Sequence, residues 1–197
     1  MPKETFYNLK EEKQEKIIGV LKETFKNKSI FEANVKEIVE KLQIARGSFY
    51  QYFENLEDAY FMILDLETVD VHRLFMKILR ENSFQLFPSL EKYGEKLSQE
   101  LFLPENYSIY KNRYLYWTPD LEKGWQAYKK SQEDLKKQTD KLEKDFAARE
   151  EIQFIKAVVH NLIQRTYLNG WTQEEFLEHF NQYADWLKKG VDRDGTF

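Results

Sequence analysis

The placement of proline constrains the fold of this chain more than any other feature. The four prolines are at positions 2, 88, 104 and 119, so two tracts of more than 70 residues contain none. Glycine is also rare, with 7 among 197 residues. Because these two residue types disfavour helix interiors most strongly, nearly the whole chain is compatible with long helices. We therefore predict an all-α protein of about nine helices, with no strand.

The composition excludes several classes of protein. With 42% hydrophobic and 32% charged residues, the chain can form a core and remain soluble. The absence of cysteine excludes disulfides, thiolate metal sites and cysteine nucleophiles. The first residues are too charged for a signal peptide and no apolar run approaches a membrane span, so we expect a cytoplasmic protein without membrane contact. The net charge of −4 argues against bulk coating of nucleic acid, but not against a local site.

The first 60 residues contain signals for three short helices around a tight turn. Apolar residues recur at helical spacing within residues 9–28, which predicts an amphipathic helix. Asn34 followed by Glu37 is typical of a capping box and begins a second helix. A third helix follows "LQIA" and ends near Phe53, because Asn55 begins another capping pair. Two short helices on either side of a tight turn form a helix-turn-helix.

The segment "VKEIVEKLQIARGSFYQYFENLEDAY", residues 35–60, resembles the DNA-binding signature of the TetR family of transcriptional regulators. The resemblance implies an N-terminal three-helix helix-turn-helix DNA-binding domain, residues 1–56. It also implies a helical-bundle domain for effector binding and dimerisation, residues 57–197. The partners implied are a double-stranded DNA operator, a small-molecule effector of unknown identity and a second copy of the chain.

By this resemblance, the start of the third helix reads DNA. Arg46 is expected in the major groove, where arginine bonds guanine. Gly47 either lets the helix approach the DNA backbone or permits close helix packing, whereas Phe49 and Phe53 are expected in the core. Leu56 stands where many family members have a phosphate-binding lysine, so we expect modest affinity. The predicted DNA-binding residues are Asn34, Lys36, Ala45, Arg46, Gly47, Ser48, Tyr50, Gln51 and Tyr52.

Aromatic residues concentrate in residues 84–128, which hold eleven of them. The segment either lines an effector pocket, as the resemblance implies, or forms an aromatic core. The pocket candidates are Tyr107, Tyr110, Arg113, Tyr114 and Trp117, with Arg113 placed to neutralise an anionic group. The helical pattern also predicts a single helix from Glu57 to Arg80 and a heptad-like helix from Leu121 to Phe146.

The predicted helix of residues 151–168 is apolar on two sides, so it must bury a second face. Asn169 and Gly170 predict a helix end, and Thr172 with Glu175 predicts a cap for the last helix. A second subunit would cover the outer face, as in the TetR family, although core packing within the monomer remains the alternative for about half of the candidates. The candidates are Val158, Leu162, Phe176, Phe180, Tyr183 and Leu187.

The resemblance favours a dimeric repressor that a small-molecule effector releases from its operator. An enzyme is disfavoured, because the three histidines form no HExxH motif and no Gly-rich phosphate loop is present. We expect no catalytic residue, no metal and no cofactor. The alternative is a helical protein-interaction regulator that has lost strong DNA binding. The net charge of −1 over residues 1–60 and the missing lysine at position 56 support it.

Overall fold

The computed structural model describes residues 1–136 and 148–191, and all regular secondary structure among these residues is helical, with no strand. Two compact units are present, formed by the described parts of residues 1–68 with 108–138 and of residues 69–107 with 139–197. In chain order the helices are α1 (Glu4–Tyr7), α2 (Glu11–Asn27), α3 (Val35–Leu42), α4 (Arg46–Tyr52), α5 (Leu56–Glu67), α6 (Val71–Glu81), α7 (Leu86–Leu101), α8 (Tyr107–Leu115), α9 (Pro119–Lys136), α10 (Glu150–Asn169) and α11 (Gln173–Val191). Within this described part, no helix combines the length and apolarity needed to cross a bilayer.

The predicted helix ends are confirmed where a side chain caps them. The Asn34 side chain accepts a hydrogen bond from the Glu37 amide at 3.0 Å and begins α3. Thr172 and Glu175 form a reciprocal capping box at α11, with bonds of 3.2 and 2.7 Å. Gly170 ends α10 in the left-handed conformation, at φ 67°. These bonds satisfy helix-end groups that have no partner inside the helix.

The single helix predicted from Glu57 to Arg80 is wrong. It is two helices, α5 and α6, because the chain is extended at Thr68 and a new helix is capped by Asp70. One carboxylate oxygen of Asp70 accepts hydrogen bonds from the amides of His72 and Arg73, both at 3.1 Å. A short acidic residue at this position favours a helix start over helix continuation.

Other predicted boundaries remain open. Helix α9 covers the first half of the predicted heptad helix, and residues 137–146 of that helix lie outside the described residues. The predicted domain boundary after residue 56 is a functional division and stays a prediction. The compact units are divided differently, because α5 packs on α2 and on α9 inside the first unit.

The first unit encloses an aromatic core around α5. Phe61 is 3% exposed, and its ring centroid lies 5.8 Å from that of Trp125 and 5.9 Å from that of Tyr128. Gly124 permits this approach, since a Cβ there would lie 3.0 Å from the Phe61 ring. The same core includes residues of α1, α2, α3 and α4. The helix-turn-helix is therefore built on α5 and α9 as a continuous apolar cluster.

The second unit contains the last two helices, and α7 packs against both α6 and α11. A close helix contact lies at Gly94 of α7, where a Cβ would lie 2.5 Å from Cδ1 of Phe180 on α11. Glycine is therefore required at this position, because the Phe180 ring lies directly on the α7 backbone.

Candidate nucleic-acid interface

The turn between α3 and α4 has the geometry of a helix C-cap followed at once by a new helix. Gln43 is left-handed, with φ 56° and ψ 44°. Its amide donates to the carbonyl of Glu40, and the amide of Ile44 donates to the carbonyl of Val39, both at 3.1 Å. This pair of bonds closes the end of α3 as a Schellman motif. Three residues, Gln43 to Ala45, therefore separate the two helices of the motif.

Helix α4 divides its side chains between the core and the surface. Phe49 and Phe53 are 1% and 0% exposed, which confirms their predicted burial. Arg46 and Gln51 are exposed, Tyr50 is 38% exposed, and Ser48 is half-buried. Ala45 is exposed and precedes the helix at its N-cap position. The outward face of α4 is therefore polar, and its seven residues include no carboxylate.

Arg46 and Tyr50 form a pair on this outward face. They are one helical turn apart, and Nη2 of Arg46 lies 3.4 Å from the Tyr50 hydroxyl oxygen. The guanidinium also lies over the tyrosine ring, 5.9 Å from its centroid. Such a cation–π contact is weak at an exposed site, but it restricts the arginine side chain. Arg46 makes no ion pair with a carboxylate among the residues that the structure describes.

Gly47 faces open space. No atom outside its immediate helix backbone lies within 4 Å of a Cβ built at this position. The alternative that Gly47 permits close helix packing is therefore excluded within the described structure. A glycine in the first turn of an exposed helix lowers helix stability, so its occurrence here has no explanation in the packing of this chain.

Tyr52 is not on the surface of α4, as the sequence prediction had placed it. Its side chain is 6% exposed and packs edge-on against Phe6, with ring centroids 6.5 Å apart. The Lys13 ammonium lies 5.6 Å from the centroid of the same ring. Position 52 faces inward because it lies three residues after Phe49, on the buried side of the helix.

The two predicted residues of α3 are both exposed. Asn34 uses its side-chain oxygen for the cap, and Lys36 lies 4.0 Å from Glu40, the distance of a weak surface ion pair. The Lys28 ammonium, and then the Asn34 side chain, lower the pKa of Glu37 by hydrogen bonding. Leu56, where the family commonly has lysine, is half-buried and packs against the core.

Three lysines lie beside the turn, and the sequence alone leaves two readings of them: added attraction to the DNA backbone, or an ordinary solvated face with interleaved glutamates. Lys10, Lys13 and Lys16 line an open groove of about 580 Å³ next to the turn between α3 and α4. The apolar part of this groove is formed by Leu9, Ile17, Leu42 and Ile44. None of the three lysines pairs with a carboxylate in the described chain, whereas Lys22, Lys28 and Lys41 each do. Because glutamates alternate with these lysines, the sequence alone does not show which lysines form ion pairs.

The predicted effector residues fall in both units. Tyr107 belongs to the second, where its ring lies 5.3 Å from that of Tyr167. The other four belong to the first, and Tyr110 and Tyr114 are buried there. The guanidinium of Arg113 lies 5.1 Å from the ring centroid of Trp117 and donates to Oγ1 of Thr68 at 3.1 Å. Their role as an effector pocket stays a prediction.

The predicted dimer residues separate into two groups. Leu162, Phe176, Phe180 and Leu187 are buried within the described subunit. Val158 and Tyr183 are half-buried. The side chains that α10 and α11 expose are others, namely Phe154, Leu168 and Trp186, which are 55%, 65% and 57% exposed. The buried group packs inside its own unit, so it has little surface left for a partner.

This arrangement defines a helix-turn-helix protein with an attached helical bundle, and comparisons with known proteins identify the family. Residues 86–190, more than half of the 197, match the family model described as "Tetracyclin repressor, C-terminal domain". The chain belongs to the TetR family of transcriptional regulators. A comparison with curated proteins finds no match.

Two solved structures share the fold. A TetR family transcriptional regulator from Chloroflexus aurantiacus J-10-FL is 23% identical, with a TM-score of 0.51, over 96% of this chain and 98% of that one. NalD, the secondary repressor of the MexAB-OprM multidrug efflux pump in Pseudomonas aeruginosa, is 16% identical, with a TM-score of 0.60, over 88% of this chain and 95% of that one. At these identities, both structures support the fold alone.

Proposed function

We propose that the chain is a dimeric repressor that binds operator DNA through α3 and α4 and is released by a small-molecule effector. The observation that carries this proposal is the outward face of α4. It presents the Arg46 guanidinium, the bare backbone of Gly47 and the Tyr50 hydroxyl, with no carboxylate on the helix. A polar, cationic helix face of this kind suits the major groove of DNA.

Arg46 is the residue that reads bases. It is the first residue of α4, and the N-terminal residues of a recognition helix are those that reach base edges. Its contact with Tyr50 holds the guanidinium near the helix, so less side-chain freedom is lost when it bonds a guanine. Gly47 then allows the helix backbone to approach the DNA, which accounts for a glycine in open space.

The lysine groove supplies the phosphate contacts. Lys10, Lys13 and Lys16 are available for phosphates because none of them forms an ion pair in the described chain, although the Glu12 side chain also lines the groove. They lie beside the turn that leads into α4, so a DNA backbone next to the recognition helix would pass them. Their charges replace the lysine that is missing at position 56.

The dimer is formed by α10 and α11. Phe154, Val158 and Leu168 are separated by four and ten residues, so they share one face of α10. On α11, the rings of Tyr183 and Trp186 are stacked with centroids 5.3 Å apart. Large aromatic side chains exposed on neighbouring helices are typical of a protein interface. A two-fold dimer would present two copies of α4 to related half-sites.

The effector has an anionic group that Arg113 binds. This guanidinium is half-buried beside the rings of Tyr114, Trp117 and Trp125, and in the described chain it pairs with no carboxylate. On the same helix, the side chain of Asn112 donates to the carbonyl of Phe25 at 3.0 Å at the end of α2. A ligand that moved α8 would break this bond to the helix-turn-helix and favour a state that does not fit the operator.

The test is selection of duplexes from a random-sequence library, followed by titration of the selected duplex. We expect the wild-type protein to enrich a two-fold related sequence. Arg46→Ala should lower affinity for that sequence by about 10- to 100-fold, and should affect a scrambled duplex much less. Arg46→Lys keeps the charge but lacks the planar guanidinium, so as the matched control it separates the loss of charge from the loss of that geometry. If no sequence is enriched, the protein-interaction alternative replaces this proposal.

A further inference from the structure

The end of α4 depends on a distant part of the chain. A helix leaves its last four carbonyls without partners, and α4 has only seven residues, so most of its polar backbone must be satisfied from outside. The helix has no Schellman motif, because Phe53 follows it in an extended conformation. The carbonyl of Phe49 accepts from the Phe53 amide at 2.9 Å. The partners of the other three come from residues 1–7.

Two residues of this N-terminal segment bond the three remaining carbonyls. The amide of Lys3 donates to the carbonyl of Tyr52 at 2.8 Å, and its Nζ donates to the carbonyl of Tyr50 at 2.9 Å. Oγ1 of Thr5 donates to the carbonyl of Gln51. All four terminal carbonyls of α4 are therefore bonded, and a positive charge lies at the negative end of the helix dipole.

The segment is itself anchored by burial and by ion pairing. Phe6 is 2% exposed, and its ring centroid lies 5.4 Å from that of Phe53. The Lys3 ammonium also lies 3.1 Å from the Glu54 carboxylate, just after α4. Lys3 is thus held between a carboxylate and the helix end. The buried phenylalanine fixes the backbone from which Lys3 and Thr5 reach α4.

We propose that residues 1–7 form a clasp that positions the recognition helix, and that Lys3 and Thr5 are positioning residues for DNA reading. Both act on the carbonyl end of α4, while Arg46 reads DNA from the opposite end. Because a helix of seven residues moves as one rigid piece, a change in tilt at its carbonyl end displaces Arg46 relative to the bases. The inference deepens the proposed function and rests on it.

Two other roles for these residues make different predictions. If Lys3 contacted phosphate, its loss would weaken binding to all sequences and lower the salt dependence by about one counterion. If the clasp only stabilised the fold, its loss would lower the unfolding midpoint and leave the affinity of folded protein unchanged. If Lys3 and Thr5 position α4, their loss should weaken binding to the selected sequence only. The affinity for a scrambled duplex and the slope of log K against log salt should then be unchanged.

The experiment compares Thr5→Val and Lys3→Met with the wild-type protein, with Glu4→Gln as the matched control. Glu4 is exposed on the same segment, and its side chain forms no hydrogen bond or ion pair in the described structure. The probes are the duplex that the wild-type protein selects and a scrambled duplex of equal length, each titrated at several salt concentrations. Amide hydrogen exchange of α4 is measured in the same variants without DNA.

We expect each clasp variant to lose about 3- to 10-fold affinity for the selected duplex, the range for loss of one hydrogen bond. The scrambled duplex and the salt slope should be unchanged, exchange should accelerate in α4, and Glu4→Gln should behave as wild type. If both variants bind the selected duplex as tightly as the wild-type protein does, the clasp proposal is wrong and the proposed function is unaffected. A parallel loss on both duplexes also overturns the clasp proposal. A wild-type protein that selects no sequence overturns the proposed function instead.

Discussion

Helices α4 and α11 both bury aromatic residues on one face, but their outward faces differ in chemistry. On α4 the outward face carries the polar groups of Arg46, Gln51 and Tyr50, whose hydroxyl lies beside the guanidinium, together with Gly47. On α11 it carries the ring of Trp186, which is 57% exposed and stacked on Tyr183. A hydrated polyanion is recognised by polar and charged groups, whereas a protein partner is recognised by aromatic surface. The two helices are therefore suited to different partners.

The two helices also differ in how they are supported. α4 has seven residues and takes its end bonds from the N-terminal segment, whereas α11 has nineteen residues and its own capping box. Contacts with neighbouring elements therefore determine the position of α4, while α11 is fixed by burial along its length. Substitutions on α4 should change binding more than stability, and those on the inner face of α11 should do the reverse.

The largest effect is expected on the inner face of α11. Phe180→Ala should lower the free energy of unfolding by about 3 to 5 kcal/mol, because it removes a ring that is 3% exposed and leaves a cavity. The ring lies on Gly94, which has no side chain that could move into the space. Denaturant unfolding at several protein concentrations measures the change.

The dependence on protein concentration decides between core and interface for this residue. A core position loses the same stability at every concentration. If the loss disappeared at low protein concentration, where the protein is monomeric, Phe180 would be an interface residue. The contrast between the two faces of α11 would then fail.

The outward face of α11 should show the opposite behaviour. Trp186→Ala should weaken the dimer by about 2 kcal/mol, or roughly 30-fold in its dissociation constant, since buried tryptophans dominate interface energies. Sedimentation over a dilution series measures this constant. Phe31→Ala is the matched control, because Phe31 is 64% exposed in the loop before α3. An equal change in both variants would place the interface elsewhere.

The sequence was most informative where the determining contacts are local. Asn34 bonds a residue three positions away, as Thr172 does at α11, so a pattern of four residues was enough to place both helix starts. The turn between α3 and α4 is also complete within a few residues. The family signature predicts that Phe49 lies in the core, and its burial confirms this.

The sequence was least informative where distant residues meet. Helical spacing shows that Phe176 and Phe180 share a face, but not whether that face meets the same chain or a second copy. The bond from Thr5 to Gln51 spans 46 residues, and no local pattern indicates it. The prediction that Tyr52 lies on the DNA-binding surface is wrong for the same reason, because its ring packs against Phe6, which is 46 residues away in the sequence. Tertiary packing decides each of these cases.

A smaller effect is expected at Gly47 of α4, where one substitution should raise the stability of the fold and weaken DNA binding. Gly47→Ala should raise the free energy of unfolding by about 0.5 to 1 kcal/mol, because alanine favours the helix and its Cβ meets no atom. The same change should weaken binding to the selected duplex, since the added methyl group keeps the backbone away from DNA. Thermal unfolding and DNA titration measure the two effects separately.

Gly19→Ala is the control for this prediction. Gly19 lies in α2, and a Cβ there also meets nothing within 4 Å, so the gain in stability should be similar. DNA binding should be unchanged in this control. If both variants bound the duplex as well as the wild-type protein does, Gly47 would have no role in the approach to DNA.

The smallest effect is expected for the phosphate contacts that we propose for the lysine groove. Lys13→Gln and Lys16→Gln should each reduce the slope of log K against log salt by about 0.9, because each releases one counterion fewer. That is roughly a threefold change in affinity over a fourfold change in salt. Lys36→Gln is the control, since Lys36 lies near Glu40 and outside the lysine groove. A reduced slope for Lys36→Gln alone would move the phosphate contacts from the lysine groove to α3.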